Sequence, residues 1–131
     1  MGQNIMPSIP ISVGELVDKI TILKIKSQNI SDVNKLKNIK VELDALETNF
    51  KNLKIASSID SEISELQNIN NELWVIEDEI REKEKNKEFD NIFIKLARSV
   101  YRVNDERAKF KKIINQKTGS LFVEEKSYSN Y

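Results

Sequence analysis

From Leu36 to Leu53 the apolar residues fall at Leu36, Ile39, Leu43, Leu46, Phe50 and Leu53, in steps of three and four without a miss. A helix with 3.6 residues per turn places all six on one side. A strand, whose sides alternate every second residue, would scatter them over both. The run covers nearly three heptads, and so narrow a seam suits an antiparallel neighbour or a second subunit. At 1.5 Å per residue, a helix over Asp32–Leu53 would be roughly 33 Å long. The same period returns in Ile63, Leu66, Ile69, Leu73, Ile76 and Ile80, and again in Phe93, Leu96, Val100, Val103, Phe110 and Ile114. Three such stretches in one chain predict an all-α fold.

Local signals divide the chain between these seams. Pro7 and Pro10 hold the first stretch extended. Ser12-Val13-Gly14-Glu15 reads as a capping box, with Ser at the N-cap and Glu at N3, and opens a short first helix to about Gln28. Leu16, Ile20 and Leu23 mark one face of that helix, while Ile22 and Ile25 point elsewhere, so it is expected to be covered on several sides. Ser31 is placed to cap the second helix. Cap signals between Ala56 and Ser61 open a third, which runs to about Lys87 and is ended by a charged stretch, Glu82 to Glu88. Asp90 is placed to cap a fourth, which runs to about Lys117, and Gly119 stands where a left-handed C-terminal cap belongs. The expectation is an antiparallel bundle of about four helices, one short and three long. Residues 1–131 form a single helical domain in this reading, with an extended segment at 1–11 and a docked tail at 120–131.

Composition narrows the chemistry. The chain has no Cys and no His, which removes thiol nucleophiles, His-based triads and the usual zinc sites. A hard-cation site built from carboxylates is the one metal site still open. Neither a cofactor nor a bound metal is expected. Positive and negative side chains balance at 21 each, which argues against a nucleic-acid partner and leaves little self-repulsion to oppose a homodimer. No apolar run approaches the roughly 20 residues that span a bilayer. Met1–Pro10 lacks the basic start and apolar centre of a signal peptide, and Gly2 is not followed by the Ser or Thr of an acylation site. A cytoplasmic protein without a membrane partner is the default. Charge is unevenly spread: residues 60–90 carry eleven acids and four bases, residues 95–117 eight bases and two acids. Lateral neutralisation of the fourth helix by the third follows from that asymmetry.

The arginines single out candidate binding residues. There are four, against seventeen lysines, and Arg98, Arg102 and Arg107 lie within ten residues. A guanidinium offers five donors in a planar fork that suits carboxylate or phosphate. Arg98 and Arg102 fall one turn apart, opposite the apolar face, where a solvated surface is the ordinary role. Arg107 falls in the apolar face itself, in line with Val103, Phe110 and Ile114. A charge there must be paired, reach outward along its stem, or line a cavity. Glu77, at the edge of the third helix's inward face, is its expected partner. Asn70 lies two turns before Glu77 and Arg81 one turn after it, while Asn104 and Asn115 flank Arg107's own face. Trp74, the sole tryptophan, sits on the flank of the third helix as packing or as a stacking platform. Lys19 completes a pocket with Arg98, Arg102, Arg107 and Glu77 for a phosphorylated or carboxylated small molecule. Glu15 and Asp18 form an E-x-x-D pair, loosely similar to the magnesium pairs of all-α nucleotide pyrophosphatases. The spacing is common in so acidic a chain. No catalytic residue is assigned.

Several stretches are familiar as strings. Ile11-Ser12-Val13-Gly14-Glu15-Leu16-Val17-Asp18-Lys19-Ile20-Thr21-Ile22-Leu23 resembles the opening of a family of small bacterial proteins classed as a domain of unknown function. Leu73-Trp74 with Ile76-Glu77-Asp78 is similar to its middle. Leu96-Ala97-Arg98-Ser99-Val100-Tyr101-Arg102-Val103-Asn104-Asp105-Glu106-Arg107 and Val123-Glu124-Glu125-Lys126-Ser127-Tyr128 are similar to its end. The resemblance implies that the tail belongs to the signature, docking near Arg98 or Arg102. It brings no activity. The leading expectation is a non-enzymatic helical interaction or assembly module, with a small-anion binding protein or a metal-dependent nucleotide hydrolase as the alternative.

Overall fold

The computed structural model describes residues 4–131, so Met1, Gly2 and Gln3 lie outside it, with the start of the expected extended segment and the Gly2 of the acylation pattern. Four α-helices follow, with no strand among the described residues: α1 Val13–Asn29, α2 Val33–Leu53, α3 Asp60–Lys85 and α4 Asn91–Thr118. A 3₁₀ turn, Ala56–Ser58, joins α2 to α3.

Most caps fall where local chemistry puts them. Ser12 Oγ accepts the Glu15 backbone N–H at 3.1 Å and satisfies one of the donors a helix start leaves open. Asp90 Oδ1 does the same for Phe93 N–H at 3.0 Å. Gly119 closes α4 at φ 68, a left-handed conformation that a side chain would strain. The cap of α2 differs from expectation. Asp32, not Ser31, accepts the Lys35 N–H, at 2.9 Å, and its charge also suits the positive end of the helix dipole. α3 has no side-chain cap and relies on Asp60 and Glu62 in its first turn. It ends two residues before Lys87, whose own φ of 55 turns the chain. Lys83 Nζ then ties that turn by reaching Glu88 at 3.1 Å and Asp90 at 2.9 Å.

α1 is the hub of the bundle, packing against α2 on one side and against α3 and α4 on the other. Its apolar residues on several sides require this, and Leu16, Val17, Ile20, Leu23 and Ile25 are all buried. Val17 joins Ile59, Leu66 and Ile114 in one core cluster. Ile69, Leu73, Ile76 and Val103 form a second between α3 and α4. Burying each such side chain stabilises the fold by roughly 1.5–3 kcal/mol before conformational entropy is set against it. The α2 seam is less completely used. Ile39 is buried and Leu36, Leu43, Leu46 and Phe50 are half-buried, but Leu53 is exposed. Its main partner is α1, the shortest of the four helices.

Candidate functional site

Gly14 lets α1 approach α4 closely. A Cβ at this position would stand 2.5 Å from the Lys111 carbonyl oxygen, a contact that backbone cannot relieve by moving a flexible tip. The gap is closed by polar chemistry: Gly14 N–H donates to Asn115 Oδ1 at 2.7 Å. Asn115 thereby satisfies a donor at the start of α1 that has no partner within its own helix.

One turn further on, Asp18 enters the interface with 1% exposure. Arg107 grips its carboxylate with both edges of the fork, Nε to Oδ1 at 2.9 Å and Nη2 to Oδ2 at 2.5 Å. Asn70 Nδ2, from α3, donates to Asp18 Oδ1 and to Thr21 Oγ1, each at 2.9 Å. Three helices therefore meet on one buried carboxylate. Beside it, Lys111 reaches Glu15 at 2.8 Å, Glu124 at 3.4 Å and Asp18 at 3.9 Å. Burial works against the Lys111 charge, but the Glu15 hydrogen bond and the charges of Asp18, Glu15 and Glu124 outweigh it. The ammonium titrates above its ordinary value. The Asp18 hydrogen bonds likewise hold Arg107 above its ordinary value against desolvation. Every buried polar side-chain atom among the described residues has a partner.

This wall separates two clefts, and Asn104 and Arg107 line both. The larger, of about 660 Å³, lies between α4 and the tail, with Glu15 and Lys111 at its floor and Tyr101, Tyr128 and Tyr131 around it. The tail runs back along α4. Ser120 Oγ accepts the Val13 N–H at 3.1 Å, Glu124 meets Lys111, Glu125 meets Lys112 at 3.2 Å, and the Tyr131 hydroxyl donates to Asp105. The Tyr131 ring lies edge-on to Tyr101, 5.0 Å between centroids, with the Arg102 guanidinium 5.5 Å away. The smaller cleft, of about 490 Å³, opens between α1 and α3 and is lined by Ile22, Ile25, Lys26, Asn70, Trp74 and Glu77 among others.

The expected pocket is thus divided. Arg107, Glu77 and Trp74 share the smaller cleft, yet the expected Glu77–Arg107 pair is not formed. Glu77 pairs with Arg81 one turn along its own helix, which needs no tertiary contact to bring the groups together. Asp18 takes Arg107 because it faces α4 directly from the buried side of α1. Arg98 is exposed, with only a 3.5 Å contact from its Nε to the Tyr101 hydroxyl. That contact lowers the Tyr101 pKa. Arg102 lies against a tail ring, and Lys19, at the surface, meets Glu15 at 3.8 Å. The tail acids go to Lys111 and Lys112 instead of Arg98 or Arg102, because those lysines lie level with the chain as it leaves the Gly119 turn. Among the described residues, Glu62–Lys117, at 2.7 Å, is the one pair of an α3 acid with an α4 base; Lys83–Asp90 runs the other way, from an α3 base to the acidic N-cap of α4. Glu15 and Asp18 bind cations of α4, and no group of three or more acids among the described residues is arranged to hold a metal ion.

Asp18 and Lys111 were the residues missed as a pair. Their signal was weak: one turn away on its own helix Asp18 has Gly14, Glu15, Thr21 and Ile22, and Lys111 has Arg107, Ala108, Ile114 and Asn115, so neither stands within an apolar face. The model of DUF6165, a family of unknown function, matches residues 7–131. The chain belongs to this family. No curated protein and no solved structure matches it. The stretches that carry the DUF6165 resemblance meet in space: the opening supplies Glu15 and Asp18, the α4 string Tyr101, Asn104 and Arg107, and the tail Glu124, Lys126 and Tyr128. Among the described residues, no helix is long and apolar enough to cross a membrane.

Proposed function

We propose that this DUF6165 protein is a non-enzymatic helical interaction module whose larger cleft is a groove for an acidic, tyrosine-bearing peptide. One observation carries the reading: an extended peptide, the chain's own residues 120–131, lies along α4 through carboxylate–lysine pairs and an aromatic end contact. The tail has no secondary structure of its own, so its order comes from these contacts. Lys111, with a side chain 9% exposed, is held by Glu15 at 2.8 Å and takes a second carboxylate, Glu124 of the tail, at 3.4 Å. A partner peptide with the same chemistry would replace the tail.

The test uses the full chain. Glu124→Gln with Tyr131→Ala weakens the hold of the tail, and a labelled peptide of sequence 120–131 is titrated into the variant and the native protein. Binding is expected to be at least about tenfold tighter to the variant, because the native tail competes at the high effective concentration of a short tether. Equal affinities, or no binding to either, would sink the proposal.

Homodimer formation belongs to the same reading. The α2 seam supports it, since Leu36, Leu43 and Leu46 are half-buried and Leu53 is exposed in the single chain.

A further inference from the structure

The smaller cleft has a different chemistry from the tail groove. Its volume, about 490 Å³, falls within the range of pockets that hold small molecules. One wall is apolar, from Ile22, Ile25, Leu73 and the half-buried Trp74. The polar groups on it are only partly engaged. Asn70 is 5% exposed, and its amide orientation is set by Asp18, a carboxylate that only accepts. Both donations to Asp18 and Thr21 come from Nδ2, which leaves Oδ1 as an acceptor with no protein partner among the described residues. No fully enclosed polar side-chain atom among the described residues is unpaired, so Oδ1 is not sealed off, and the open space that Asn70 lines is this cleft.

Donors stand around it. Arg107 spends Nε and Nη2 on Asp18, and Nη1 has only a 3.4 Å contact with Asn104. Lys26 is half-buried and has no carboxylate within ion-pair distance among the described residues, and the Trp74 indole N–H has no acceptor there. Glu77 is neutralised by Arg81, and Asp78 stands exposed at the rim.

We infer that this cleft binds a small aromatic carboxylate, its ring against Trp74, its carboxylate toward Lys26 and Arg107, and a ring hydroxyl or amine donating to Asn70 Oδ1. An apolar wall with a few convergent polar groups recognises a flat body with one charged end. A guanidinium edge and an ammonium supply the charge complement, and the acceptor selects a ligand that also donates. This site does not depend on the peptide groove, because the tail lines only the other cleft.

Trp74 is the only tryptophan of the chain, so its emission reads this cleft and no other. The full-length protein is titrated with 3-hydroxybenzoate and benzoate, with acetate and benzyl alcohol as controls that lack the ring or the charge. Saturable quenching is expected with 3-hydroxybenzoate, weaker with benzoate, and at least about tenfold weaker with either control. Lys26→Met is expected to weaken 3-hydroxybenzoate by about tenfold with an unchanged melting temperature, since Lys26 makes no ion pair among the described residues. Quenching that stays linear to about 10 mM, or Lys26→Met binding as tightly as the native chain, overturns the assignment. Equal quenching by benzyl alcohol overturns the role of the charge and with it the ligand class.

Discussion

Gly14 and Asp18 show how few atoms hold α1 against α4. At Gly14 a single methyl would meet the Lys111 carbonyl at 2.5 Å, so α1 must shift away and stretch the Asn115 hydrogen bond. Gly14→Ala is expected to cost roughly 1–3 kcal/mol, the usual range for overpacking, read as a lowered urea midpoint with unchanged slope. Asp18 has 1% exposure, and losing Arg107 would leave its charge buried without a counter-charge on the same contact. Arg107→Met is expected to destabilise the fold by about 3 kcal/mol, and Arg107→Lys by less, because a lysine restores the charge but not the two-point grip. By contrast, Glu77→Gln removes an exposed pair one helical turn long and is expected to leave the melting temperature within error. If Glu77→Gln were the damaging change and Arg107→Met the harmless one, the assignment of Asp18 as the interior partner would be wrong. The identity of that partner was not legible from α3 and α4 alone. Helical geometry put Arg107 on an apolar face and demanded a counter-charge, but the counter-charge came from α1, whose rotation relative to α4 is set by packing.

Helix boundaries were readable because they are local. Ser12, Asp90 and Gly119 act within four residues of themselves, and each does in the structure what its chemistry predicts. Ser12 is largely buried, so Ser12→Ala leaves the Glu15 N–H without its acceptor where water has little access. A loss of about 1 kcal/mol is expected, measured by thermal or urea unfolding, and full stability in that variant would show that the cap is not in use. The second helix shows the limit of local reading. Ser31 and Asp32 are both good caps, and the helix starts at Val33, which places Asp32 and not Ser31 at the N-cap. Its seam was visible to the residue, yet the seam does not say how much of itself one neighbour will cover. α1 covers only the Ile39 position fully, while Leu36, Leu43, Leu46 and Phe50 stay partly open and Leu53 is exposed.

At the scale of the whole molecule, ion pairs join elements distant in sequence and tie stability to pH. Lys117 lowers the Glu62 pKa through a hydrogen bond, below its ordinary 4.5, and Lys83 lowers that of Asp90, below 3.8. A depressed carboxylate contributes stability above its unfolded pKa and loses it as pH falls through the folded one, so decline is expected in acid below about pH 4. Lys111 and Lys83 titrate above their ordinary 10.5. A raised cation contributes stability below its unfolded pKa and loses it as pH rises through the folded one, so the opposite edge lies above about pH 10.5. Between these edges the urea midpoint is expected to be flat, as no His is present to titrate near neutrality. A step in stability between about pH 6 and 8 would contradict this account. Sedimentation equilibrium decides the homodimer: a strict monomer at high concentration would leave the half-buried α2 seam without the proposed second copy. The amino-acid sequence by itself determined four helices, the caps of α1 and α4, the apolar face of each helix and the anomaly of a guanidinium within one of those faces, because these follow from spacing and from groups a few residues apart. Only the tertiary structure decided that α1 would be the hub, that Asp18 would receive Arg107, and that the tail would run to Lys111 instead of Arg98. Those outcomes depend on how closely two helices approach and how they are rotated, which packing settles through residues such as Gly14 whose effect no periodicity records.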